Sequence, residues 1–355
     1  MNHERNSRSN WMLYGAYGRT GRQILDDVLR RGHRPVLAGR DPVQLRALGD
    51  ATGLHTVHVG LEDGSALRAA LSGVKCVLLA AGPYQVTGPL MRAACFDARC
   101  SYLDVNGELE DFAQALASDA TARAAGIAVI PGAGYGVVFA ECLAAHVIPR
   151  LPGATWLRLS LDTQSDGHSR AATLSTAAAM IAGGRDVFQG ALRRRAIASP
   201  TWRGPGADGG RLRFAAAPRA ELVAVQHSTR VPNIVAGIPM SRAAAAFVRL
   251  AGPRLGKFLA RYGARFSRPG PATPDAAIAA MRSRVWAEAG NAGGARAVAL
   301  LETGEGYRAA AAAAVRAVEL QLQQPRVGAL TPVQAFGADF ALLVPGTRIQ
   351  ELERP

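Results

Sequence analysis

Residues 11–21 read Trp11-Met12-Leu13-Tyr14-Gly15-Ala16-Tyr17-Gly18-Arg19-Thr20-Gly21. A short apolar run ends in three glycines, each three residues from the next. Ile24, Leu25, Val28 and Leu29 then fall on one face of a helical pattern, and Gly32 supplies a stop signal. Val36-Leu37-Ala38 reads as a second strand, closed by Gly39-Arg40. Strand, glycine turn, helix and strand within about 30 residues make a βαβ unit. In such a unit one glycine permits the sharp turn, one admits a pyrophosphate and one lets the helix sit close to the strand. Free N–H groups and the dipole at the helix start then attract phosphate. The spacing here is GxxGxxG rather than GxGxxG, but the flanking elements are in place. Gly15, Tyr17, Gly18, Arg19, Thr20 and Gly21 are therefore the expected dinucleotide-phosphate site. Arg40 ends the second strand about 20 residues on, where an acid would grip an NAD ribose and an arginine would face a 2′-phosphate. That position favours NADP(H) over NAD(H). The neighbouring Asp41 offers the ribose alternative.

The alternation continues outward. Strands are expected at 55–60, 75–81, 102–105 and 127–130, with helices at 65–71, 90–98 and 109–125. Strands and helices in strict turn predict an α/β fold, a Rossmann doubly wound parallel sheet. Ligands of such sheets sit beyond the strand C-termini. The loops at Gly82-Pro83-Tyr84, at Asp104 to Gly107 and at Gly134 should thus border the nicotinamide and the substrate. Gly82, Pro83, Tyr84, Asp104 and Gly107 join the expected cofactor site.

Composition removes other classes. The chain has 355 residues, 49% hydrophobic and 19% charged, enough apolar material for about two folded domains. Four cysteines do not form a disulfide framework, and neither CxxC nor HExxH spacing supports a metal site. No apolar run is long enough for a membrane span, and the polar first ten residues are not a signal peptide, so a cytoplasmic protein is expected. The formal charge is +14, almost all of it arginine, since Lys75 and Lys257 are the only lysines. There is no aromatic stacking motif or recognised module for nucleic acid, so that partner is not expected.

Several segments resemble saccharopine-dehydrogenase-like oxidoreductases, including the trans-acting enoyl reductase type. They are 14–21, Ala38-Gly39-Arg40, Ala81-Gly82-Pro83-Tyr84 with Gly88, 102–108, and Pro131-Gly132-Ala133-Gly134-Tyr135. Near the end, Thr331-Pro332 and 335–339 look like that family's closing segment. The resemblance covers the first third and the last fifty residues. It implies a Rossmann domain (1–134), an α+β substrate or dimerisation domain (135–306), and a C-terminal helix and segment (307–355) packing back on the first. It also implies an NADPH-dependent reductase of a C=C or C=N bond in biosynthesis, acting on a small-molecule or carrier-bound acyl or imine substrate. The sequence departs at Gly136, where related members often carry Asp.

In the second domain, 155–163, 211–216, 221–227 and 296–303 read as strands of a mixed sheet. Residues 169–181 and 307–324 read as helices, and 199–210 and 268–273 as loops. Such a sheet can carry a homodimer interface by analogy of fold. Basic residues cluster at Arg193-Arg194-Arg195 and along 254–266. There Leu255, Phe258, Leu259, Tyr262 and Phe266 share a helix face, with Arg254, Lys257, Arg261 and Arg265 beside it. A solvated edge, an acidic carrier protein and peripheral membrane contact are the open readings.

Hydride transfer also needs a proton donor. No Tyr precedes either lysine by four residues, so the short-chain dehydrogenase dyad is absent. Tyr135, Glu108 and His168 are the catalytic candidates. A non-catalytic NADP-binding sensor or scaffold, held at a lipid surface or an acidic partner, is the competing expectation.

Overall fold

The computed structural model describes residues 10–167, 170–205, 210–266 and 273–352, with backbone alone for 170–172 and 263–266. In the first third, β1 (Trp11–Tyr14), α1 (Arg19–Arg30), β2 (Val36–Gly39), α2 (Pro42–Thr52), β3 (Thr56–His58) and α3 (Gly64–Ala70) follow in turn. Then come β4 (Cys76–Leu79), α4 (Tyr84–Ala98), β5 (Ser101–Asp104), α5 (Leu109–Ala117), α6 (Asp119–Ala125) and β6 (Ala128–Ile130). The middle runs α7 (Tyr135–Val147), β7 (Ala154–Asp162), α8 (Arg170–Ala182), β8 (Gly184–Phe188), β9 (Ala191–Arg195), β10 (Thr201–Pro205) and β11 (Arg211–Ala216). After α9 (Glu221–Thr229) come β12 (Asn233–Pro239), α10 (Arg242–Phe266), α11 (Asp275–Ala280), β13 (Ser283–Asn291) and β14 (Arg296–Thr303). The chain closes with α12 (Gly306–Gln323), β15 (Gly328–Ala329), α13 (Pro332–Phe336) and β16 (Arg348–Glu351).

The first sheet has the order β15-β6-β5-β4-β1-β2-β3, and all its pairings are parallel. This is the doubly wound Rossmann order with one strand added from the end of the chain. β1, β4, β5 and β6 are buried throughout, as expected of parallel strands covered on both faces. The second sheet is mixed, with the path β10-β11-β12-β7-β13-β14-β16 and β8 and β9 branching from β12. Its parallel step joins β12 to β7.

Helices α7 and α12 form the layer between the sheets. One apolar core joins Ile24 of α1, Phe139 and Leu143 of α7, Val315 of α12, Leu159 of β7 and Leu301 of β14. Ala309 to Ala314 are all buried, and their small side chains let α12 lie close to its neighbours.

Three expectations are corrected, two in the second domain and one in the first. Residues 221–227 are helix, not strand. Ala220, Leu222, Ala224 and Val225 are buried there, and that tertiary burial outweighs the strand preference of Val223 and Val225. Residues 201–205, expected within a loop, form an edge strand against β11, with Pro205 at its end. The stretch 109–125 is two helices, broken at Ser118, whose hydroxyl donates to the Ala115 carbonyl at 2.6 Å.

Glu141, fully buried on α7, holds the C-terminal segment in place. Its Oε2 accepts the Val333 amide of α13 at 3.0 Å. Burial pushes its carboxyl up to about 7. A raised folded pKa means that this group's contribution to stability is present below the unfolded value and is lost as pH rises through about 7. Glu141→Gln is therefore expected to remove about 2 kcal/mol of the stability loss between pH 5 and pH 8. Urea unfolding of both proteins at the two pH values measures it, and an unchanged pH slope would contradict it.

Candidate functional site

Gly15 has φ +88°, and its amide donates to the Ala38 carbonyl at 2.8 Å. A Cβ there would meet Ala81 Cβ at 2.9 Å and the Ala80 backbone, so the turn presses against the end of β4. A Cβ on Gly21 would overlap the Gly15 carbonyl and lie 2.9 Å from Ala16 Cα. Gly18 is the N-cap of α1 and has no side chain to cap with. The amides of Arg19, Thr20 and Gly21 precede the first intrahelical donor, the Arg22 amide bonded to the Gly18 carbonyl, and have no side-chain partner at the cap. α2 and α3 differ, being capped by Asp41 and Asp63. An open helix start behind a crowded glycine turn, with no acid in the first turn, fits a dinucleotide's pyrophosphate.

Tyr17 ties this turn to the end of β2. Its hydroxyl accepts the Arg40 and Asp41 amides at 3.0 and 3.2 Å, and its ring lies against Gly39, where a Cβ would meet it at 2.6 Å. Asp41 accepts the Val43 and Gln44 amides and the Gln44 side chain. These bonds hold its carboxyl below the usual range. Arg40 is exposed and forms no salt bridge among the described residues. Arg19 turns toward the second domain, 3.4 Å from the Asp166 carboxylate and over the Tyr307 ring at 4.8 Å.

The β5 loop is built on buried polar groups. Asp104 Oδ1 accepts the Asn106 and Gly132 amides at 2.9 and 2.7 Å, and Oδ2 accepts the Tyr102 hydroxyl at 2.5 Å. Its carboxyl is pushed up to about 7, chiefly by burial. Those contacts fasten the ends of β5 and β6 to each other. Asn106 donates to Asp111 Oδ2 at 2.7 Å and accepts the Glu108 amide at 2.6 Å. Asp111 in turn binds Arg92 through two bonds, at 2.7 and 3.1 Å. Gly88 leaves room for that pair, since a Cβ there would lie 2.7 Å from both partners.

Glu108, presented by this loop, caps α4. Its two oxygens accept the Tyr84 and Gln85 amides at 3.0 and 2.9 Å, and Ser175 of α8 donates to it at 2.6 Å. Gly82 and Pro83 lie half-buried before α4. Burial and the carboxylates of Asp104, Glu108 and Asp111 push the Tyr84 hydroxyl well up, so it stays protonated.

Gly107, Glu108 and Ser175 border a cleft of about 810 Å³, counting its open mouth. Its walls are largely apolar, with Met180, Ile197, Ile238, Met240 and Val248 on one side. Arg219 also lines it, held at 2.5 Å by the buried Glu221. A Cβ at Gly136 would overlap Glu221 Oε1, so glycine at that position makes space for the Arg219–Glu221 pair.

Tyr135 starts α7 but is not part of the cleft wall. Its buried hydroxyl faces Thr163 and Ser283 without completing a hydrogen bond, and burial pushes its pKa up. His168 lies outside the described residues. Arg219, Glu221 and Ser175 went unnoticed in the sequence. They stand in loops and helices of the second domain with no fixed spacing to the Rossmann motifs. The departure at Gly136 was the one local signal that the packing there differs.

A family model described as NAD(P)H-binding matches residues 15–124. A probable mitochondrial saccharopine dehydrogenase-like oxidoreductase of Arabidopsis thaliana is 25% identical over 221 residues, which is 56% of this chain and 48% of that protein. The chain thus spans about half the length of this curated relative. Among solved structures, apo saccharopine dehydrogenase (L-Glu forming) from Saccharomyces cerevisiae superposes with a TM-score of 0.66 at 11% identity, covering 97% of this chain and 100% of that one. With its open amide turn, the chain therefore carries a region that matches an NAD(P)H-binding family model, set within a fold similar to that of saccharopine dehydrogenase.

Proposed function

We propose that this chain is an NADP(H)-dependent oxidoreductase that reduces a C=C or C=N bond, in an acyl (enoyl) or imine intermediate of biosynthesis. The observation that supports it most is the uncapped first turn of α1, set behind Gly15 and Gly21, where any Cβ would clash with the backbone or Ala81. When bound, the nicotinamide supplies the hydride. The chain's own residues bind, orient and handle the proton. The amides of Arg19, Thr20 and Gly21 hold the pyrophosphate. Arg40 meets the 2′-phosphate, while Asp41 is committed to capping α2 and is a poor ribose acceptor. Glu108 and Ser175, hydrogen-bonded on the cleft wall, are the pair we assign to proton handling. Arg219 is suited to anchor a carboxylate or carbonyl oxygen at the head of an otherwise apolar substrate.

The test is NADPH and NADH oxidation against a panel of α,β-unsaturated acyl thioesters and imines. The unmodified protein should oxidise NADPH with saturable dependence on at least one of them. Arg40→Ala should narrow the NADPH-over-NADH ratio in kcat/KM about tenfold or more, the scale of one charge-assisted contact. A preference for NADH in the unmodified protein would contradict the assignment of Arg40.

A further inference from the structure

The outer face of α10 carries large exposed apolar side chains together with cations. Taking 100° per residue, Phe247, Leu250, Arg254, Phe258 and Arg261 fall within an arc of about 80°, with Lys257 at its edge. Phe247 is 57% exposed, Leu250 81% and Phe258 48%. The opposite face is the packed one. Ala245 and Val248 are buried, and Gly256 lies against α8, where a Cβ would meet the Ala177 carbonyl at 2.7 Å. Phe258, placed by the sequence on one helix face with Leu255, Leu259 and Tyr262, stands exposed among the basic residues, while those three are half-buried. The helix from 242 to 266 contains no acid at all. Arg254, Lys257 and Arg261 make no salt bridge among the described residues, whereas Arg193 and Arg195 of the other basic cluster pair with Asp186.

Arg261 lies over the Tyr262 ring at 5.6 Å, and Phe258 packs against the same ring at 5.2 Å. Large exposed apolar side chains beside cations that form no ion pair among the described residues match the boundary of an anionic bilayer. There the rings and the leucine enter the acyl region, and the cations meet headgroup phosphates. No helix among the described residues is long and apolar enough to cross a membrane, so the contact would be lateral. We propose that α10 is a docking surface for an anionic membrane. The inner side of the same helix supplies Val248 to the cleft, and its neighbour α8 supplies Ser175, Ala179 and Met180. Docking through α10 would therefore place the wall of the substrate cleft at the lipid surface.

The experiment is co-sedimentation of the full chain with vesicles of phosphatidylcholine alone and with phosphatidylglycerol added at three parts in ten. Binding to the mixed vesicles is expected, with at least tenfold weaker partitioning to the neutral ones. The triple variant Arg254→Glu, Lys257→Glu, Arg261→Glu and, separately, the double variant Phe247→Ser, Leu250→Ser should each lower partitioning at least tenfold. Circular dichroism and NADPH binding should stay as in the unmodified protein, because these side chains face solvent. Equal binding to both vesicle types, no binding to either, or loss only of self-association or of binding to an acidic carrier protein would overturn the proposal.

Discussion

Gly21→Val is expected to abolish coenzyme binding. The new side chain has no room, since even its Cβ overlaps the Gly15 carbonyl and crowds Ala16 Cα. Either α1 moves off β1 or the glycine turn opens. Both displace the Arg19 to Gly21 amides from the place where the pyrophosphate must sit. Overpacking of this kind costs about 1–3 kcal/mol in stability. The coenzyme, dependent on several amides at once, should lose about a hundredfold or more in affinity, equivalent to two charge-assisted hydrogen bonds. Gly64→Ala is the control, because nothing lies within 4 Å of a Cβ there. Fluorescence titration with NADPH and urea unfolding measure both effects. Normal NADPH affinity in Gly21→Val would contradict the site.

Asp111→Ala carries the second large effect. Asp111 and Arg92 are both buried, with side chains 0% and 6% exposed. Removing the acid leaves a guanidinium without its anion, and breaking a buried pair in this way costs about 3–5 kcal/mol. Asn106 loses its acceptor as well, and through it the loop that presents Glu108 loosens. Urea unfolding should show the loss. The double variant Arg92→Met, Asp111→Leu should recover most of it, since two apolar groups leave no charge uncompensated. A single variant as stable as the unmodified protein would show that the pair is not coupled to the fold as the geometry requires.

The Rossmann half was legible because its signals are local. Apolar runs of strand length, a glycine turn and 3.6-residue periodicity all lie within the first 130 residues. The second half was harder for physical reasons. β13 and β12 are centre strands whose partners come from far along the chain, as β13 pairs with β7 across more than a hundred residues. The helix at 221–229 carries β-branched residues and is fixed by burial against α7, α5, β12 and β8. At the site, the motif residues of the glycine turn come together as spacing alone suggests. The cleft does not, because Arg219, Ser175 and Met180 reach it from separate elements. The run Arg193 to Arg195 illustrates the same limit. Strand alternation in β9 sends Arg193 and Arg195 to Asp186 and leaves Arg194 on the opposite side, bordering an outer recess with Arg185 and Glu110.

The most direct measurement is calorimetric titration of the purified, unmodified chain with NADPH and with NADH. If the open amides of α1 hold a dinucleotide's paired phosphates, both coenzymes bind saturably at one site per chain, and NADPH binds more tightly. Absence of heat and of any spectroscopic change with either coenzyme, in a protein that remains folded, would contradict it.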